Sequence, residues 1–203
     1  MRYRVSNTAE AVRVGNGDLA DILDSFAGCF GLERSSVAYV STPITTGRRY
    51  YDWLSASKLS TDNPRFATEH AREVIAANQA SAHTLVLRAR RLLGKIVVDP
   101  TGLHAPEWSQ SDFHAFWTRL IADYVGTVVF NDGWEFSTGC THEYAAALRV
   151  GATVLDAHLS VMPPIVAVTK TNDAIAQLRG QGHGVQSLSM AQQQIVEAVE
   201  SVG

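Results

Sequence analysis

The 203 residues include only two cysteines, Cys29 and Cys140. They have neither the density of a secreted disulfide scaffold nor the spacing of a metal-ligand set, so reduced thiols in a cytoplasm are expected and no metal centre is. An excess of basic charge is also missing. Lys and Arg total 17 against 20 Asp and Glu, a formal net charge of −3, which leaves no electrostatic footprint for wrapping a nucleic-acid polymer. Long apolar runs are absent as well: none follows Met1-Arg2-Tyr3-Arg4-Val5-Ser6, and charges interrupt every other apolar segment. A soluble protein with no membrane partner is expected. No repeat or low-complexity segment breaks the chain, and Gly15-Asn16-Gly17 lacks the preceding strand that a dinucleotide fingerprint needs, so no cofactor is expected. What is present is 46% hydrophobic content, enough for one sizeable core and short for two.

The chain divides at about residue 35. Residues 1–35 read as an N-terminal helical extension, with Leu19, Ile22, Leu23 and Phe26 recurring at helical spacing between Leu19 and Phe30. Residues 36–203 read as one domain. Val37-Ala38-Tyr39-Val40 is a first core strand, Lys95 to Pro100 a second stopped by proline, Tyr124 to Phe130 a third, Ala152 to Asp156 a fourth and Ile165 to Val168 a fifth. Helical patterns fill the intervals: Asn63 to about Leu93, with Pro64 in the first turn and a break near Asn78; Ser111 to Asp123, carrying Phe113, Phe116, Trp117, Leu120 and Ile121; Asn172 to Leu178; and Ser189 to Val202. Strands alternating with helices imply an α/β fold: a parallel sheet of about five strands with helices on both faces.

The densest chemistry lies between Asp132 and Ala147, after the third strand, where open parallel sheets place their ligands. Glu143 is expected in the first turn of a helix, kept ionised by unpaired backbone N–H groups and the positive end of the helix dipole, either as a plain cap or as a nucleophile. Ser137, Thr138, Gly139 and Thr141 offer hydroxyls and amides suited to phosphate or sugar oxygens. Trp134 and Phe136 either stack on a nucleobase or seal the sheet edge. Asp132 serves a turn or a sugar hydroxyl. After the first strand, Ser41-Thr42-Pro43-Ile44-Thr45-Thr46-Gly47-Arg48-Arg49 sets small polar residues beside two cations, and Gly47 allows close backbone approach to an anion.

Together these residues resemble the nucleoside 2-deoxyribosyltransferase-like superfamily of N-glycosidases. The similarity spans about Val37 to Met162 and is most specific in the pattern Gly-Trp-Glu-x-Ser-x-Gly-x-x-x-Glu-x-x-x-Ala from Gly133 to Ala147. It implies a flavodoxin- or Rossmann-like three-layer fold in which Glu143 attacks the anomeric carbon. It further implies a first-strand loop, Thr42 to Arg49, that contacts the sugar and its 5′ substituent. Thr45, Thr46, Gly47 and Arg48 then join Ser137, Gly139 and Ser160 on a phosphate, while Thr42, Ile44, Arg49, Asp132, Trp134, Phe136 and Met162 face sugar or base. Members acting on free nucleosides tend to have a carboxylate where this chain has Ser137, and members hydrolysing 5′-monophosphates tend to have serine. The hydroxyl points toward nucleotides, because a carboxylate would repel phosphate. Asp112 corresponds to the family's aspartate near the leaving base. Leu159-Ser160-Val161-Met162 corresponds to a segment that reaches a neighbouring subunit's site, which implies a homodimer.

The expected function is therefore hydrolysis of the N-glycosidic bond of a nucleoside 5′-monophosphate through a covalent glycosyl-Glu143 intermediate. The alternatives are a base-exchanging deoxyribosyltransferase and a non-catalytic nucleotide sensor, with a flavin carrier behind them for want of a distinct flavin loop. His104, His114 and His142 are each available to assist protonation of the base.

Overall fold

The computed structural model describes residues 16–202 in backbone and 21–201 in side chains. The first fifteen residues of the extension, the Gly15 end of the Gly15-Asn16-Gly17 step and the Leu19 side chain lie outside them. Among the described residues eight α-helices and four strands run in the order α1 (Asn16–Phe30), β1 (Val37–Ser41), α2 (Arg48–Ser57), α3 (Phe66–His70), α4 (Ala76–Leu93), β2 (Ile96–Val98), α5 (Gln110–Tyr124), β3 (Thr127–Phe130), α6 (Thr138–Arg149), β4 (Thr153–Leu155), α7 (Pro164–Gly180) and α8 (Gln186–Val202). All pairings are parallel and the strand order is β2-β1-β3-β4. This α/β arrangement is compatible with a Rossmann-like fold.

The side chains of β1 show why the strand forms. Val37 and Tyr39 belong to one apolar cluster with Leu120 and Ile121 of α5 and Tyr144 of α6, whereas Ala38 and Val40 belong to another with Leu85, Val86 and Ala89 of α4. Alternation with a period of two sends neighbours to opposite sides, and a strand buried on both sides is apolar at nearly every position. β3 is buried in the same way from Thr127 to Phe130. α1 joins the core through Leu23 and Ala27, while Ile22 and Phe26, which also fit its helical spacing, are exposed.

The expected fifth strand does not form. Ile165 to Val168 lies in the first turns of α7, where Pro164 opens the helix with a preset φ and Ala167 turns inward while Ile165 and Val166 stay exposed. A β-branched apolar run short enough for a strand is also short enough for one helical face. The sheet thus has four strands, its β4 edge extended by an isolated antiparallel bridge between Leu155 and Val161. Nor does the helical region break at Asn78, which lies inside α4; the irregularity is a π-helical turn at Ala71–Ile75, and Pro64 precedes α3.

Two connections leave the centre of the sheet in opposite directions, from β1 toward β2 and from β3 toward β4, so a crevice opens between the carboxyl ends of β1 and β3. The loops there are tied together. The Asn131 N–H donates to the Ser41 carbonyl at 2.9 Å, and the Arg48 N–H to the Gly133 carbonyl at 3.4 Å. The approach requires glycine twice. Gly47 has φ +84 and a Cβ there would stand 2.6 Å from the Pro43 ring, while Gly133 has φ +78 with the Arg48 Cβ 3.0 Å from where its own would be. Both angles belong to the left-handed region that side chains disfavour.

Candidate active site

Ser137 starts α6: its Oγ accepts the Cys140 N–H at 3.4 Å, the ordinary work of an N-cap serine. This cap sets Glu143 in the second turn of the helix, not the first, beyond the reach of the unpaired terminal amides that were expected to hold it ionised. Its carboxylate is held instead by β1. Tyr39 donates its hydroxyl to Oε1 at 2.9 Å and Ser41 donates to Oε2 at 2.6 Å. Tyr39 and Ser41 are two residues apart on the strand and so share a face. All three side chains are buried, Glu143 at 8% exposure.

Both of these donors are neutral hydroxyls, and burial raises the pKa of the carboxyl to about 7 against the opposing pull of Ser41 and Tyr39. Desolvation disfavours the charged form, and hydrogen bonds to that form restore part of the loss. Burial, and then the nearby Glu143, hold the Tyr39 phenol well above its usual range. The Cys140 thiol is pushed up to about 12, again by burial first, which makes it an inert neighbour, not a nucleophile. A carboxyl group poised near neutrality and gripped by two hydroxyls can act as a nucleophile or exchange a proton.

Glu143 borders a cavity of about 820 Å³ at the β1/β3 crevice, within the size range of small-molecule sites. One wall is the start of α6, with Ser137, Thr138, Gly139 and His142; a second is the β1 loop, with Thr42, Ile44, Thr45 and Thr46. The third wall comes from α5 and the segment before it: Leu103, His104, Phe113, His114 and Trp117. The Thr42 hydroxyl is buried without a hydrogen-bond partner, so a polar ligand atom in the cavity would satisfy it.

The other expected site residues divide sharply. Phe136 lines the cavity, but Trp134 does not. Trp134 is 2% exposed and stacks on Tyr144 with the planes 10° apart and the centroids at 5.2 Å, so it serves the core and cannot stack on a base. Neither arginine of the β1 loop borders the cavity. Arg48 pairs with Glu135 at 3.0 Å and lies 4.5 Å from the centre of the Phe136 ring, and Arg49 donates to Asn78 at 3.0 Å. Gly47 caps the N-terminus of α2, and Asp132 is exposed, its N–H donating to the Asn131 side-chain oxygen at 3.0 Å.

Asp112 forms the capping box of α5, accepting from the Ser109 N–H at 2.8 Å and the Ser109 hydroxyl at 2.7 Å. That role keeps it at the helix start, outside the cavity lining, and does not place it on a leaving base. Met162 is 4% exposed in this chain's own core, and its carbonyl accepts the Tyr144 hydroxyl at 3.0 Å. Its side chain is thus committed here and not extended toward a neighbour. Ser160 is exposed, its N–H bonded to Asp156 at 2.9 Å.

Tyr39, Ser41, Phe113 and Trp117 are among the site residues that sequence reasoning missed. A signal existed for the first two: hydroxyls at alternate positions of an otherwise apolar strand must find partners. Among the described residues no group of three or more His, Cys, Asp or Glu side chains is placed to hold a metal ion, and no helix is long and apolar enough to cross a membrane. No protein-family model matches the chain, and comparison with curated proteins and with solved structures gives no match.

Proposed function

We propose that the chain is an N-glycosidase of the nucleoside deoxyribosyltransferase-like kind, cleaving the bond between base and sugar of a nucleoside 5′-monophosphate. The observation that carries this reading is the Glu143 carboxylate, clamped by Tyr39 and Ser41 at the edge of a nucleotide-sized cavity. Glu143 attacks C1′ through an oxocarbenium-like transition state, the C1′–N bond breaks as the base takes a proton, and water then hydrolyses the glycosyl ester. The hydroxyl clamp aims the nucleophile, and its distribution over both oxygens stabilises the carboxylate as it departs in the second step.

A 5′-phosphate fits the start of α6, where Ser137, Thr138 and Gly139 present hydroxyls and a helix N-terminus. The base then falls against Trp117 and Phe113, flat rings in place of the expected Trp134. The split of β1 side chains between two apolar clusters supports a three-layer, flavodoxin-like arrangement for this scaffold, and the free thiols Cys29 and Cys140 suit a cytoplasmic setting.

A second reading, base exchange on a nucleoside, is favoured by one observation: among the described residues the cavity lining has no Arg or Lys. The test is incubation with ribo- and deoxyribonucleosides and their 5′-monophosphates, with and without an added base, following free base and sugar. Base released from monophosphates without acceptor supports the first reading. Exchange that requires an acceptor supports the second, and binding without turnover overturns both in favour of a sensor.

A further inference from the structure

On the glycosidase reading the departing base needs a proton, and Asp112, the residue expected near that base, is engaged at the α5 cap. The titratable side chains that do border the cavity are Tyr39 on β1, Tyr51 on α2, Cys140 and Glu143 on α6, and three histidines. Tyr39, Tyr51 and Cys140 all hold their protons more tightly than usual, burial being the first cause for each, which makes them poor acids at neutral pH. Glu143 is the nucleophile.

We propose that His142 is the catalytic acid that protonates the leaving base, with Gln194 as its positioning residue. Three observations converge on it. His142 directly precedes Glu143 and borders the same cavity. Its Nδ1 lies 2.8 Å from Gln194 Oε1 on α8; with that nitrogen donating to the amide carbonyl, Nε2 is the position left for substrate. The His114 ring stands 4.7 Å away, centroid to centroid, at the cavity rim. Partial burial, and then the charge of His142, lower the His114 pKa, which leaves His114 the weaker candidate for holding a proton at neutral pH.

The step balances. A Glu143 oxygen forms the bond to C1′, the C1′–N electron pair goes to the base, and the Nε2 proton follows it. Neutral His142 then takes a proton from the water that attacks C1′, and the Glu143 carboxylate leaves.

The test compares substrates that need the acid with counterparts that do not. The probes are the common ribo- and deoxyribonucleoside 5′-monophosphates, with 7-methylguanosine and 5-fluorouridine 5′-monophosphates as the activated purine and pyrimidine. The first carries its positive charge before the bond breaks and leaves as a neutral base, and the second leaves as a stabilised anion. His142→Asn is expected to slow the ordinary member of the accepted pair by about 100-fold or more, the usual contribution of a general acid, and the activated member less than about 5-fold. It is also expected to erase the alkaline limb of the pH profile. Gln194→Glu places a carboxylate on Nδ1 and is expected to move that limb upward by about one pH unit, a shift that a packing role would not produce. Equal loss on both members, or an unmoved alkaline limb in Gln194→Glu, overturns the assignment while the glycosidase stands. A wild-type protein that frees base from none of the probes overturns the glycosidase reading and the acid with it.

Discussion

Glu135 and Glu143 stand eight positions apart, both nearly excluded from solvent at 6% and 8% exposure, yet their surroundings differ in kind. Glu135 lies in the short 3₁₀ turn before α6 and has a guanidinium, that of Arg48, on one oxygen. Glu143 has two hydroxyls, an open cavity beside it and a pKa near 7. A buried carboxylate with a cation is electrostatically settled and serves to join two loops. One with only neutral donors is left poised between protonation states, which costs stability and leaves the group reactive. On the proposed glycosidase reading, the contrast assigns chemistry to α6 and structure to the turn before it.

The largest test of that contrast is Glu143→Gln. Base release is expected to fall by at least about 1,000-fold, because the variant has no nucleophile, and unchanged turnover would end the assignment. The same change should stabilise the fold in alkali. With its pKa raised from 4.5 to about 7, Glu143 contributes full stability below pH 4.5 and loses it as pH climbs through about 7, a difference of about 3 kcal/mol. Denaturant titrations at pH 5 and pH 8 are therefore expected to show the wild type weakening more than the variant. A wild type equally stable at both would refute the poised carboxyl.

Arg48→Met inverts the pattern. It strands the Glu135 carboxylate, whose second oxygen already lacks a partner, and is expected to cost about 2 kcal/mol, less than a fully buried pair because Arg48 is half exposed. Its effect on kcat should stay below about 5-fold in the folded protein. A kcat loss comparable to that of Glu143→Gln would erase the distinction between the two carboxylates.

Ser137→Asp probes the phosphate end. Aspartate caps helices as well as serine, so folding is expected to survive, while kcat/KM for monophosphates falls about 10- to 100-fold more than for nucleosides. Equal losses would remove phosphate from the start of α6. The smallest effect belongs to Tyr39→Phe. Loss of one hydrogen bond to the ionised form should move the acidic limb of kcat/KM, which rises as Glu143 ionises, upward by about one pH unit. An unmoved limb would mean that another group controls it.

Much of this scaffold was legible from patterning. β1, β2, β3 and β4 appear within a few residues of where apolar runs place them, because a strand covered on both sides must be apolar throughout. Ile165 to Val168 misled because four apolar residues carry no decisive periodicity, and Pro164 then favours a helix start. The site was readable as a segment but not as an arrangement. The run from Gly133 to Ala147 does contain the residue at the cavity, yet its second-turn position depends on which residue caps the helix. The fates of Arg48 and Arg49 depend on Glu135 and Asn78, 87 and 29 positions away.

Local sequence alone determined the α/β alternation, the glycines that let two loops meet, and the presence of an acidic residue on the helix after β3. Only the tertiary structure decided what that acid is. Burial and two hydroxyls from a strand more than a hundred residues earlier in the chain set its charge. Desolvation and hydrogen bonding are properties of neighbours in space, and a one-dimensional pattern does not specify those.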